Sequence, residues 1–291
     1  MALLAVFSKI LERAIFLQIV KYMNDNLLFH PSQHGFRKNH NTTTAILEMM
    51  DQWVEAMDRK NVSASVMLDL SAAFNMVDTD ILLQKLKIYG FEANAIMWLQ
   101  SYLTDRQQQV YVDGHLSKPL PVTLGVPQGS ILGPLLYSIY TNDLPEVIHE
   151  HDFVNSTRAP FNLPCDECGG ICSFADDSTL TISSANPDDL GPLLSNRYDL
   201  ISNYMLGNRL ALNNDKTHFM VIASQSQHRR NDNFGITLNT GTEIVAPSES
   251  ERILGLNVQN DLSWNNHIIN NEKSLSKSLS RKISALGKIC L

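Results

Sequence analysis

Two adjacent carboxylates close a short apolar run in Ser173-Phe174-Ala175-Asp176-Asp177, and a third stands alone far upstream in Val66-Met67-Leu68-Asp69-Leu70. Each segment reads as a strand ending in acid. β-Compatible residues resume in Ser178-Thr179-Leu180-Thr181-Ile182, so the later segment predicts a strand, a two-residue acidic tip and a second strand. Asp69 has apolar neighbours on both sides, which makes it expensive to bury uncompensated. Clustered carboxylates repel, and a fold that gathers them needs positive charge among them. Mg²⁺, with its preference for hard oxygen ligands, supplies it. Two such ions bridged by aspartates activate an attacking hydroxyl and stabilise a leaving oxygen in phosphoryl transfer. A lone Asp-Asp pair is more often a solvated turn, so its surroundings have to decide.

Between the two acidic segments, residues 124–137 read LGVPQGSILGPLLY. Pro and Gly punctuate a loop that runs into an apolar helix. A glycine in such a loop lets backbone approach a flat or charged ligand closely.

Around these motifs the periodicity predicts a helix over 3–23, with Leu4, Phe7, Leu11, Ile15 and Ile19 mostly in the core. A loop at 30–40 follows, then a helix over 42–57 with Ile46, Met50, Trp53 and Met57 on one face, and a strand over 62–70. Helices are expected from Thr79 to near Gly90 and over 93–103. Strands are expected at 107–112 and 120–124 around an Asp113-Gly114 turn. A helix at 130–141 precedes an aperiodic insertion at about 145–170. A helix at 188–206, a strand at 217–223 and short strands over 234–258 complete the pattern. The last run, 273–283, repeats Leu at helical spacing with a basic opposite face.

At 291 residues and 44% hydrophobic, the chain has the material for a substantial core, either one large domain or two closely joined lobes. No apolar run reaches transmembrane length, and the amino-terminal segment is amphipathic, unlike a cleavable signal peptide, which points to an intracellular protein in nucleus or cytoplasm. A net charge of -7 argues, taken alone, against a nucleic-acid partner. The distribution softens that objection: residues 61–258 hold 11 Lys/Arg against 22 Asp/Glu, whereas the two ends are basic or balanced. Cys165 and Cys168 have a zinc-ligand spacing that His151 or Cys172 would complete. No second Cys-x2-Cys pair accompanies them, so a reduced, irregular loop is the expected form.

The segments LDLSAAF, GVPQGSILGPLLYSIYTNDLP, FADDSTL, LNNDKT and ILGL…LSW…HI, in that order, resemble the successive palm motifs of reverse transcriptases from non-LTR (LINE-type) retrotransposons. QHGFRKNHNTTTAI upstream is similar to their fingers motif. The resemblance runs from about Ser8 to His267. It implies an α+β fold: a right-hand polymerase palm, built on an antiparallel sheet with packed helices, plus a fingers lobe and the start of a thumb. On this reading 1–258 is the reverse transcriptase domain, with 1–60 fingers-like and 61–258 mainly palm with inserted fingers elements. Residues 259–291 form a basic, thumb-like start, and the chain is truncated relative to full elements.

The resemblance also implies roles. Asp69 and Asp176 coordinate metal directly, with Asp177 the third carboxylate of a site for two Mg²⁺, Mn²⁺ being the alternative. Phe74 lies beneath the incoming sugar and disfavours a ribose 2′-hydroxyl, although a core aromatic fits the pattern equally well. Gln128 and Gly129 contact the nascent base pair and template, unless they only start a capped helix. Arg37, and less surely Lys38, embraces the triphosphate, a task suited to a guanidinium fork. Lys216 lies near the pyrophosphate leaving group. The partners implied are an RNA template, a DNA primer and deoxynucleoside triphosphates.

Departures from the family pattern are Asn75 and Thr79, where Asp and His are common, and Phe174 for the commoner Tyr. Drift in an inactive element copy, with at most nucleic-acid binding, would produce such changes and is the alternative reading. A nucleotide cyclase with paired-metal chemistry is a further one, but GVPQGS and GFR have no evident job in it.

Overall fold

The computed structural model describes residues 6–127, 129–148, 170–231, 234–265, 267–270 and 272–273. Helices α1 (Val6–Asp25) and α2 (Thr42–Asp58) precede strand β1 (Val62–Leu68). A helical excursion follows: α3 (Ala73–Met76), α4 (Thr79–Ile88) and α5 (Ala93–Leu103). Four short strands form a ribbon: β2 (Arg106–Gln108), β3 (Tyr111–Val112), β4 (His115–Leu116) and β5 (Leu120–Val122). Helices α6 (Leu132–Tyr140) and α7 (Leu144–Val147) come before the hairpin of β6 (Gly170–Phe174) and β7 (Asp177–Ser184). Then come α8 (Pro187–Gly207), β8 (His218–Ile222), α9 (Gln225–Arg230) and two hairpins, β9 (Leu238–Asn239) with β10 (Ile244–Val245) and β11 (Ser250–Ile253) with β12 (Leu256–Gln259).

The central sheet has the order β6-β7-β1-β8, and every neighbouring pair is antiparallel. Side chains alternate across it with period two. Val62, Ala64, Val66 and Leu68 of β1 join Leu180, Ile182, Phe219 and Val221 in one core with the buried faces of α4, α5, α6 and α8. On the opposite face Met67, Cys172, Met220 and Ile222 pack with Ala45, Ile46, Met49 and Trp53 of α2 and with Ile253 and Val258. Ser65 and Thr181 also lie on that face, opposite one another in register, with their hydroxyl oxygens 2.9 Å apart. Trp53 Nε1–H donates to both, at 2.8 and 3.2 Å, so the buried hydroxyls are satisfied and α2 is fixed to the sheet. Asn41 caps α2 through a reciprocal box with Thr44. Asp78 caps α4, accepting from the N–H groups of Asp80 and Ile81, and pairs with Arg209 at 2.5 Å.

Helix α1 departs from expectation. Phe7 is 85% exposed and Leu11 is exposed as well, whereas Ile19 and Met23 are buried. The helix turns Glu12 inward, and this buried carboxylate accepts the N–H of Ile131 at 2.6 Å. The first amides of α6 have no partner within their own helix, so an anion there both satisfies a donor and meets the positive end of the helix dipole. Hydrophobic periodicity alone could not find that face, because a charge sits at its centre.

The acidic tip is displaced by one residue from the expected hairpin. Phe174 pairs with Asp177, so the turn consists of Ala175 and Asp176, with Ala175 at φ 59, and Asp177 is already the first residue of β7. The zinc-spaced Cys165 and Cys168, His151, and most of the basic 259–291 segment lie outside the described residues. Among the described residues no helix is long and apolar enough to cross a membrane.

Candidate active site

Strand register brings the distant acids together. β1 pairs with β7 from Val62↔Ser184 to Leu68↔Ser178, and Asp69 and Asp177 are the residues that adjoin this last pair on the two chains. Neighbouring strands lie about 5 Å apart, so the two backbones meet despite their separation in sequence. Asp177 faces the same side as Met67 and Thr179, lining a cavity of about 80 Å³ with Phe174, Arg252 and Leu254. Its carboxyl is pushed above the usual range, first by burial and then by the charges of Asp176 and Asp69. The three acids therefore share one electrostatic neighbourhood.

Behind Asp69 the chain is held in place. The Asp69 carbonyl accepts the N–H of Asn213 at 2.9 Å, Leu70 bridges Leu212, and Ser71 N–H donates to the Ala211 carbonyl. A 3-10 turn over Asn214–Lys216 follows, and Lys216 Nζ comes to 3.6 Å from Asp69 Oδ2. Both groups are well exposed, so this pair stabilises the fold little. Its consequence is placement: a cation stands beside the acids. Asn214 anchors the turn, accepting from Tyr198 Oη at 3.0 Å and donating to Thr242 Oγ1 at 3.0 Å.

The Phe74 segment and the glycine-proline loop are clamped together. Gly125 N–H donates to the Val77 carbonyl at 2.8 Å and Val126 N–H to the Phe74 carbonyl at 2.9 Å. Gly125 has φ +82, and a Cβ there would stand 2.7 Å from Asn75 Cα. Only glycine permits this approach. Ser130 Oγ accepts from Gly133 N–H at 2.8 Å and donates to the Pro127 carbonyl at 2.6 Å, closing the loop onto the start of α6. Gly129 is exposed with φ +75, while Gln128 lies outside the described residues. The half-buried ring of Phe74 rests on that of Tyr137, with centroids 4.8 Å apart. Tyr137 is 1% exposed, and its hydroxyl is pushed upward by burial and then by Asp176 and Asp177. The sequence did not single it out: it is one of two tyrosines in a largely apolar helix.

The loop that carries Arg37 docks against the acidic hairpin. Residues 32–34 run beside β6 as a short parallel bridge: Ser173 N–H donates to Ser32 and His34 N–H donates to Ser173. A Cβ on Gly35 would lie 2.3 Å from the Ala175 nitrogen, so this glycine is required by contact with the turn itself. His34 Nε2 meets Glu48 Oε2 at 2.6 Å, and the neighbouring buried Cys172, whose thiol burial pushes up to about 12, brings a third donor atom within 4.8 Å. Arg37 itself points into its own loop, where Nη1–H donates to the carbonyls of His30 and Gln33 at 2.7 and 2.9 Å. Its guanidinium lies 5.3 Å from the Phe29 ring and lines a different cavity, of about 890 Å³, with Lys85 and Tyr89. Lys38 is exposed. The structure thus gathers Asp69, Asp176, Asp177 and Lys216, sets Phe74 close by through Tyr137, and gives Arg37 contacts within its own loop.

A four-stranded antiparallel sheet with helices packed on both faces and acids at the ends of adjoining strands defines an α+β, palm-type polymerase fold. A family model described as reverse transcriptase (RNA-dependent DNA polymerase) matches residues 1–258, and the chain belongs to that family. It is 26% identical over 280 residues to the RNA-directed DNA polymerase from mobile element jockey of Drosophila melanogaster, covering 96% of this chain and 29% of that protein. It is 38% identical over 144 residues to the probable RNA-directed DNA polymerase from transposon BS of the same species, covering 50% of this chain and 16% of that one. The chain therefore spans less than a third of these curated relatives. Among solved structures, the telomerase from Candida tropicalis in complex with a TWJ fragment of telomeric RNA matches with a TM-score of 0.56 at 14% identity, covering 89% of this chain and 37% of that one. This likeness is one of fold. The relatives agree with the retrotransposon resemblance carried by the ordered motifs.

Proposed function

We propose that this chain is the polymerase domain of a non-LTR retrotransposon protein and acts as an RNA-directed DNA polymerase. A DNA primer 3′-hydroxyl, annealed to an RNA template, attacks the α-phosphate of a deoxynucleoside triphosphate, and pyrophosphate leaves. The observation that supports this reading is a strand register whose last pair, Leu68↔Ser178, is adjoined by Asp69 on one chain and by Asp177, next to Asp176, on the other. Three carboxylates in one field, with Asp177 driven upward by burial and then by the other two, form a hard-oxygen donor set that fits divalent cations. Asp69, Asp176 and Asp177 would hold two Mg²⁺, or Mn²⁺; bound there, the ions supply Lewis-acid stabilisation of charge on the reacting oxygens.

The remaining roles follow from placement. Lys216, beside Asp69, stabilises or protonates the leaving pyrophosphate. Phe74 closes the space beneath the sugar, which favours a deoxyribose. Gly129, exposed with positive φ, lets backbone approach the nascent pair, and Gln128 offers both donor and acceptor to it. Arg37 shapes the loop by binding its carbonyls, and the exposed Lys38 beside it would contact the triphosphate. Residues 1–60 would act as fingers, 61–258 as palm, and 259–291 as the first part of a thumb.

Incorporation of labelled deoxynucleotide on an RNA template with a DNA primer tests this directly. Wild-type chain extends the primer and Asp176→Ala does not. Equal extension by both would remove the assigned site.

A further inference from the structure

We propose that Tyr137 is a positioning residue for sugar selection: it sets the height of the Phe74 ring and thereby how strongly the site rejects a ribonucleotide. The inference rests on the polymerase reading above and assigns a second residue to its selectivity.

Phe74 has little of its own structure to hold it. It lies on α3, a single turn entered through Ala72 at φ 51, and its side chain is only half buried. Its carbonyl accepts the Val126 amide, and three residues on, the Val77 carbonyl accepts that of Gly125. Those bonds fix where the ring starts and leave its tilt open. The tilt is decided by what the ring rests on, and that is the Tyr137 ring, at 4.8 Å between centroids and 45° between planes. Aromatic pairs at this separation attract beyond simple burial, and in a close-packed interior the lower ring determines the position of the upper one.

Tyr137 is itself held firmly. It is 1% exposed, in a helix whose neighbouring Leu135, Leu136, Ile139 and Tyr140 are all buried. The carboxylates that influence its hydroxyl are Asp176 and Asp177. One buried ring therefore contacts the sugar-facing residue and also feels the charge of the acids that would hold the metal ions. This contact carries the inference, because sugar rejection depends on the ring's height relative to a phosphate position fixed elsewhere.

If the lower ring is removed, Phe74 sinks and space opens for a 2′-hydroxyl. The test is the ratio of kcat/KM for a deoxynucleotide to that for the matching ribonucleotide, in primer extension by wild type, Tyr137→Leu, Tyr137→Met and Tyr137→Phe. Loss of one methylene-sized contact changes discrimination by roughly 10-fold or more. Tyr137→Leu is expected to lower the ratio by about that factor, chiefly by improving ribonucleotide use, and Tyr137→Phe, which keeps the ring, restores the wild-type ratio. In a Phe74→Val background Tyr137→Leu produces no further loss, because the residue it acts through is gone. Tyr137→Met, about the size of leucine but unbranched and more adaptable in a core, gives the same reading if the leucine variant does not fold. Wild-type discrimination in the folded leucine or methionine variant overturns the proposal. A wild-type chain that extends with neither nucleotide instead overturns the polymerase reading.

Discussion

The central sheet and the ribbon of residues 106–122 are both antiparallel β-structure, yet they obey different rules. Strand β1 is covered on both faces, by α2 on one side and the α4, α6 and α8 layer on the other, and a slip of one residue would exchange its two sets of side chains. The ribbon strands pair only with one another, and Val110, Tyr111, Val112, Leu116 and Leu120 remain exposed. Burial thus enforces a single register in the sheet, and nothing comparable enforces it in the ribbon. The acids stand at the ends of the enforced strands. A site that depends on two remote residues meeting is placed where a shift in pairing is most heavily penalised.

The largest effect is expected where the sheet is joined to α2. Trp53→Ala removes a fully buried ring and leaves Ser65 and Thr181 without their shared donor, destabilising the fold by about 3–5 kcal/mol in urea unfolding. A loss under about 1 kcal/mol would break the contrast, since the ribbon tolerates that much. Gly35→Ala comes next: its Cβ collides with the Ala175 backbone, costing about 1–3 kcal/mol and displacing the turn that carries Asp176, so primer extension and unfolding midpoint should fall together. Stability loss with full activity would show that the turn does not transmit the strain. Arg37→Ala removes charge-assisted bonds to the loop carbonyls of His30, Pro31 and Gln33 and is expected to destabilise by about 2 kcal/mol. An unchanged unfolding midpoint with a raised KM for nucleotide would instead give Arg37 a direct hold on the triphosphate. The smallest effect belongs to the ribbon, where Val112→Thr is expected to shift stability by less than about 0.5 kcal/mol.

The same difference explains what the sequence made legible. The strands, the acidic hairpin and the later helices announce themselves by period and by turn residues, and the structure finds them within a few positions: 62–68 for an expected 62–70, and 93–103 as expected. The displaced acidic tip is a register detail. Ala175 accepts a positive φ that composition would assign elsewhere, because Phe174 and Asp177 gain a pairing from it. The inward face of α1 was not legible at all, since burying Glu12 makes sense only once the free amides of α6 are brought to it from 119 residues away. Arg37 teaches a related lesson. A guanidinium in a polar loop looks the same in sequence whether it binds phosphate or the loop's own carbonyls, and only the fold supplies the acceptors. Tyr137 and Gly35 act through contacts between segments remote in sequence, and local pattern holds no record of such contacts.

Asp69 and the Asp176-Asp177 pair are expected to belong to one ion-binding site. Mn²⁺ binding to wild type, Asp69→Asn and Asp176→Asn, followed by electron paramagnetic resonance, addresses it most directly. Each single substitution is predicted to weaken binding by about tenfold or more, and the double substitution to cost less than the sum of the two, as expected for ligands of a shared site. Mn²⁺ binding unchanged in Asp69→Asn, with binding lost in Asp176→Asn, would show that the two acidic segments act apart and would contradict the account.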